Sequence, residues 1–416
     1  MKKMKFVVAL LLVALLSACA APVGVPPAVA PVVDAPDVGA PAVVEATPEV
    51  TQEADETPVA TSWAEEHLFV ERTLDELLEL AQEEGTLTIY TISSRTANVV
   101  ETFMERFPGV SAQAIDLRSN EAIERFEREF NAGLRNMDIM QIQDLDGSMW
   151  FEFVMQGKLH IYYPAEIMAA GAIAPEHMVN GMPFIIELQQ WFYNTEEFPD
   201  GAPISSWWDL TRPEWAGRIM IRDPLADIAN LATLVRFSDK MAEDYERIFG
   251  EPITLHPDSP TVGHEFLRRF SANDLIFTAS GGEIITAVGT PGQTTNTPIG
   301  YAMSSGLRRR EERGYTLNYI NITPATGFPF TSFLYIAEEA PNPNTARLFV
   351  YWMLGGADGQ GVGFDPWNTL GGWPVRDDIA PVEGSTPLSE INLFPHDVDF
   401  LYFNILDIHD FWLSLQ

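Results

Sequence analysis

Apolar positions change period repeatedly between residues 73 and 160. Leu74, Leu77, Leu78 and Ala81 recur at helical spacing, behind Thr73 and with Glu76 in the first turn. That pair is a capping box, and Gly85 supplies the stop, so a helix is expected between them. LTIYTI, residues 87–92, alternates β-branched positions and predicts a strand. Val99, Val100, Phe103 and Phe107 then restore the helical period. The cycle continues with the strand VSAQAIDL, the charged helix EAIERFEREFNAG, the buried strand MDIMQI and a helix around SMWFEFVMQG. Strands alternating with helices predict an α/β architecture with a largely parallel sheet.

The pattern shifts near residue 185. IIELQQWFY, residues 185–193, is a strand-like run long enough to carry the chain into a second lobe. Beyond it come SWWDL, a Pro-Glu-Trp turn, the strand GRIMI and a helix of IANLATLVRF type. LIFTAS, GGEIITAVG and PIGYAMS complete another α/β set, and YTLNYINITPATGFPFTSFLYIA predicts strands returning to the first lobe. The helix NTARLFVYWMLG and an aromatic, apolar tail follow. The expected fold class is therefore α/β in two lobes. Residues 63–185 open lobe 1, 186–312 form lobe 2, 313–355 return to lobe 1, and 356–416 close the chain.

The amino end is of a different kind. Lys2, Lys3 and Lys5 precede an unbroken apolar run at 6–16, too short for the roughly 17–25 residues of a bilayer-spanning helix, and residues 1–18 read as a secretory signal. The run ends in Leu16-Ser17-Ala18-Cys19, which resembles the lipobox of bacterial lipoproteins. The resemblance implies that Cys19 is lipidated and that the protein is anchored to the cell envelope, facing outward. Cys19 is the only cysteine, so an intramolecular disulfide is excluded. Residues 19–62, rich in Ala, Pro, Val and Glu and free of Lys and Arg, read as a disordered tether.

A net charge of −34 disfavours nucleic acid as a partner. The one basic cluster, Arg308, Arg309, Arg310 and Arg313, is interleaved with Glu311 and Glu312 and reads as a solvated helix face. No catalytic or metal-binding motif survives inspection. Thr278-Ala279-Ser280-Gly281 lacks the first glycine of a nucleophile elbow, and His264-Glu265 is not followed by the second histidine of a zinc-protease helix. The 7 histidines are scattered without ligand spacing.

Five pieces, in order, resemble the extracellular solute-binding proteins of ABC importers, in the branch of ferric-ion, thiamine, phosphonate and polyamine-type binders. They are GTLTIYTISSRTANVVETFMERFPGV, SSWWDLTRPEWAGRIMIRDP, TPIGYAMSSGL, NPNTARLFVYWMLG and GGWPVRDDI. The resemblance covers nearly the whole globule. It implies a two-lobed periplasmic-binding-protein type II fold, a small-molecule solute in the interlobe cleft, a membrane ABC permease as partner, a monomer, no enzymatic activity, and no cofactor.

It also implies ligand contacts. Ser93, Ser94, Arg95 and Thr96 sit at a strand-to-helix turn, where free backbone N–H groups and a guanidinium favour an anionic or oxygen-rich ligand, although one hydroxyl serves equally as a cap. Ser119 and Asn120 open the next helix, with capping and binding both open. Across the cleft the corresponding positions are Asp227, then Ser280 and Gly281, then Tyr301 and Ser304. Trp191 is a candidate stacking platform, with core packing as the alternative. The adjacent tyrosines of ferric binders are missing from Tyr301-Ala302-Met303-Ser304-Ser305, so a metal site is not expected and ferric binding ranks second. A hydrolase with Ser94 as nucleophile is the rival from another class; it requires a histidine within reach of Ser94 Oγ.

Overall fold

The strands found among residues 62–225 and 228–416, the part of the computed structural model described here, join in one 11-stranded sheet. The signal, Cys19, the tether and Asp227 lie outside the described residues. In chain order the strands are β1 (Thr86–Thr91), β2 (Ser111–Asp116), β3 (Ile139–Gln143), β4 (Leu159–His160), β5 (Met182–Asn194), β6 (Ile219–Arg222), β7 (Ile276–Thr278), β8 (Ile299–Met303), β9 (Leu317–Tyr319), β10 (Gly327–Ala337) and β11 (Gly372–Pro374). The helices are α1 (Trp63–His67), α2 (Leu74–Ala81), α3 (Thr96–Arg106), α4 (Ser119–Asn131), α5 (Ala165–Ala169), α6 (Ala229–Arg236), α7 (Ser238–Phe249), α8 (Val262–Ser271), α9 (Gly281–Gly289), α10 (Arg309–Arg313), α11 (Pro343–Met353) and α12 (Val398–Ser414).

The main path of the sheet runs β2-β1-β3-β10-β5-β8-β6-β7. At one end β1 pairs in parallel with β2 and β3; at the other β6 pairs in parallel with β7 and β8. Between them lie β5 and β10, long and antiparallel. The expected capping box forms: the Glu76 N–H donates to Thr73 Oγ1 at 3.3 Å, and the Thr73 N–H to the Glu76 carboxylate at 2.8 Å. At the base of the first lobe, buried Asp138 accepts from the backbone N–H groups of Thr88 and Asn342, each at 2.7 Å, and so ties β1 to the start of α11.

Two crossing strands join two separate cores. Leu188 on β5 packs in the core that holds Leu87, Ile89, Phe103 and Phe349, whereas Trp191, three residues on, packs in the core of Trp207, Trp208, Phe266 and Phe270. On β10 the same change falls between Phe328 and Phe333. Gln189 and Gln190 therefore mark the crossing on β5, a little beyond the change of pattern at residue 185. Period-2 alternation alone cannot locate it, because both edges of β5 are paired and its residues are buried throughout.

Ser304 splices the ladder at this crossing. One edge of β5 pairs with β11 over 185–187 and with β8 over 189–192. The Leu188 N–H falls between the two and donates to Ser304 Oγ at 2.8 Å, while that hydroxyl donates to the Gly371 carbonyl. Ser304→Ala strips partners from both buried groups. Stability should fall by about 1–3 kcal/mol, read from the urea midpoint.

The C-terminal helix touches both cores. Tyr402 stacks on Phe151 of the first lobe, with centroids 4.4 Å apart, while Trp412 is fully buried beside Phe270 of the second.

Candidate functional site

In open α/β sheets the crevice outside the carboxyl ends of the strands is where ligands bind. Here the turns after β1 and β8 bring basic side chains to that edge, one from each lobe, beside an acid on the crossing strand. Arg95 follows β1, Arg308 follows β8, and Glu187 is on β5. Arg95 Nη2 donates to Glu187 Oε1 at 3.2 Å, and the guanidinium carbon lies 4.0 Å from the centre of the Trp367 ring. Stacking on indole leaves the in-plane N–H groups of a guanidinium free to donate. Arg95 Nη1 is buried and has no hydrogen-bond partner among the described residues.

Arg308 lies near enough to feel both. Burial lowers its pKa, and the positive charge of Arg95 lowers it further, while Glu312 and Glu187 oppose the shift. Its Nη1 donates to the Ser305 carbonyl at 2.8 Å, and Nε sits 3.4 Å from Glu312. The expectation of a solvated face for this cluster thus does not describe Arg308, whose side chain is 31% exposed. The guanidiniums of Arg95, Arg308 and Arg309 outnumber the carboxylates of Glu187 and Glu312 by one, a local positive excess in a strongly acidic chain. An anionic group is the complement of such a place.

The other expected contacts fall into distinct settings. Ser93 Oγ accepts weakly from the Arg95 backbone and Nε, both at 3.4 Å, while Ser94 is exposed. Thr96 is buried, its hydroxyl donating to Gln141 Oε1 at 2.6 Å and lying 2.9 Å from the Thr91 hydroxyl; it knits β1, β3 and α3 together. Ser119 and Asn120 are exposed in the first turn of α4, where the Glu121 carboxylate takes the Arg118 N–H. Ser280 caps α9 by accepting the Glu283 N–H at 3.3 Å, and Gly281 begins that helix. Ser304 is committed to the hinge. Trp191 is fully buried, tilted against Tyr301 at 4.7 Å and edge-on to Trp207 at 5.5 Å; the odd-numbered face of β5 that bears it turns into the second core past the crossing. At the mouth of lobe 2, the Asn230 carboxamide donates to Gln189 Oε1.

Three contributors were missed in the sequence: Arg308, Glu187 and Trp367. Arg308 had a signal in the basic cluster, but periodicity does not say which face of a short helix turns to a neighbouring lobe. Glu187 was visible as an acid within IIELQQWFY. Trp367 reaches Arg95 across 272 residues and has no local signal.

Two rival chemistries find no assembly here. Among the described residues no group of three His, Cys, Asp or Glu is placed to hold a metal. Tyr301 is buried in the second core, Tyr162 lies under Arg347, and Tyr163 donates to the Gly181 carbonyl at 3.4 Å. Among the described residues no histidine is hydrogen-bonded to Ser94; His160 pairs with Glu338, His264 with Thr261, and His396 with the Leu145 carbonyl.

Asp144, just past the end of β3, is nearly inaccessible. Burial pushes its carboxyl up to about 7, although it accepts backbone N–H groups from Met149 at 3.1 Å and Trp150 at 3.2 Å.

No family model matches the chain, and no curated protein matches it. Solved structures do. AfuA from Actinobacillus pleuropneumoniae, a periplasmic binding protein with fructose-6-phosphate bound, is 18% identical with a TM-score of 0.58, over 79% of this chain and 98% of that one. Iron-bound HitA from Pseudomonas aeruginosa is 15% identical at 0.58, over 79% and 99%. The substrate-binding protein of an ABC transporter from Agrobacterium tumefaciens is 14% identical at 0.59, over 80% and 96%. These likenesses show the fold, which is the two-lobed type II periplasmic-binding-protein arrangement.

Proposed function

We propose that this chain is a solute-binding protein, not an enzyme, that captures a small anionic solute in its interlobe cleft and passes it to an ABC permease. One observation carries the reading: Arg95 of the first lobe is held against Glu187 on the crossing strand with Nη1 buried and unpartnered among the described residues, and Arg308 of the second lobe lies within electrostatic reach of both. Like charges on opposite walls repel, which favours separated lobes when no anion is present. An anion placed between them turns that repulsion into two attractions, and its differential affinity for the closed form sets how far the equilibrium shifts. Binding and closure are then one event, and closure is the signal a permease reads. Ligands named for the neighbours, a sugar phosphate in one and iron in another, are both compatible with this fold. The cationic pair favours the anion.

In the same reading Cys19 is lipidated, residues 19–62 space the globule from the membrane, and the protein acts as a monomer at the outer face. The domain limits 63–185, 186–312, 313–355 and 356–416 belong to it as well. No helix among the described residues is long and apolar enough to cross a membrane.

A melting screen of the mature protein against phosphonates, phosphate esters, polyamines, sugars and ferric salts tests it. A phosphonate or phosphate ester at a hundredfold excess over its Kd should stabilise by about 2.7 kcal/mol. If only ferric salts raised the melting temperature, the anion reading would fail and the iron reading would replace it.

A further inference from the structure

Behind the crossing strand lies a second cavity, of about 270 Å³. Glu187 and Gln189 point to the cleft face of β5, where they meet Arg95 and Asn230. Side chains of a strand alternate, so Gln190 points the other way. It is 1% exposed and lines this cavity, yet neither Nε2 nor Oε1 has a hydrogen-bond partner among the described residues. Buried carboxamides are almost always paired. Ser385 Oγ, among the lining residues, is unpartnered among the described residues as well.

We propose that this cavity is a second binding site, for a polyhydroxylated molecule of monosaccharide size, either neutral or bearing one acid group. Four features of the wall select that class. Gln190, Asn318 and Asn321 offer carboxamides, and Ser385 offers a hydroxyl, all able both to donate and to accept. Trp373 gives an apolar face for C–H groups, held in place by its Nε1 donating to the Thr386 carbonyl at 2.9 Å. No carboxylate is among the lining residues, which disfavours a cation, and Arg310 places one positive charge on the wall. The volume equals that of roughly nine liquid waters, room for a sugar and well beyond one bridging solvent molecule. The site does not depend on the cleft reading, since Gln190 points to the opposite face of β5 from Glu187 and Gln189.

Saturation-transfer NMR on the mature protein with glucose, myo-inositol and gluconate tests it, alongside a high-resolution crystal structure soaked in each. Arg95→Ala silences the proposed cleft site, and Gln190→Leu replaces the unpaired carboxamide without removing a bond to the protein. Transfer to at least one probe is expected in the parent and in Arg95→Ala, weakened at least tenfold in Gln190→Leu. Arg310→Ala should weaken gluconate selectively. No transfer to any probe, with only ordered water in the cavity, overturns the proposal; so does transfer that survives Gln190→Leu or disappears with Arg95→Ala.

Discussion

Replacing Arg95 by alanine lowers affinity for the cleft anion about 100-fold, or ~3 kcal/mol, as read by calorimetric titration. The guanidinium is prepared for this role. Its ring contact with Trp367 and its bond to Glu187 hold it in one orientation, and Nη1 is left without a partner. The substitution has a second effect, because Glu187 is 6% exposed in its side chain and loses its bonded cation. Removing one partner of a buried pair costs roughly 3–5 kcal/mol. The low end applies here, since Arg95 is 21% exposed. Loss of binding and loss of stability must therefore be separated. Arg95→Ala combined with Glu187→Gln removes the orphaned charge, so it should recover most of the stability and none of the affinity. Recovery of both would assign Arg95 a structural role only.

The second large effect is a dependence of stability on pH. Asp144 has an ordinary value of 3.8, and burial raises it to about 7 in the folded protein. Well below pH 3.8 the carboxyl is protonated in both states and contributes nothing. Between about 4 and 7 the folded state holds the proton and the unfolded state does not, so stability falls as pH rises; above 7 the full penalty is present. A shift of three pKa units corresponds to about 4 kcal/mol as an order of magnitude. Asp144→Asn is neutral throughout and keeps an oxygen for one of the two backbone donors. The variant should melt several degrees above the parent at pH 8, with the advantage shrinking to zero or reversing at pH 4.5. A constant difference across that range would mean that the burial of Asp144 does not govern its ionisation. Because other carboxylates titrate in the same window, only the difference between parent and variant is diagnostic.

The α/β class and many of its helices and strands were legible because those elements satisfy local rules that do not depend on the rest of the chain. Thr73 and Glu76 cap whatever helix follows them, and β1 is a β-branched run whatever it pairs with. The position of the crossing was less legible. IIELQQWFY is apolar from end to end apart from Glu187, Gln189 and Gln190, and the two glutamines turn out to be the residues between two cores. Trp191 illustrates the same limit from the other side. A tryptophan on a crossing strand suits a cleft or a core equally, and the deciding fact is which face β5 turns to Trp207 and Tyr301, a tertiary property. The candidate site was legible only in part. Arg95 stood out at a strand-to-helix turn, whereas Arg308 was masked by neighbouring acids, and Ser304 resembled a ligand contact because a hinge splice also needs a hydroxyl. Composition reports how many charges a segment has, and only packing reports which of them face a neighbour.

The most direct test of the anion-bridge account is calorimetric titration of parent and Arg308→Ala with phosphonoacetate and glycerol 3-phosphate, at low and high salt. The account predicts one solute per chain for at least one of the two, affinity that falls as salt rises, and a loss of tenfold or more on removing Arg308. An affinity that is unchanged in Arg308→Ala and indifferent to salt would contradict it.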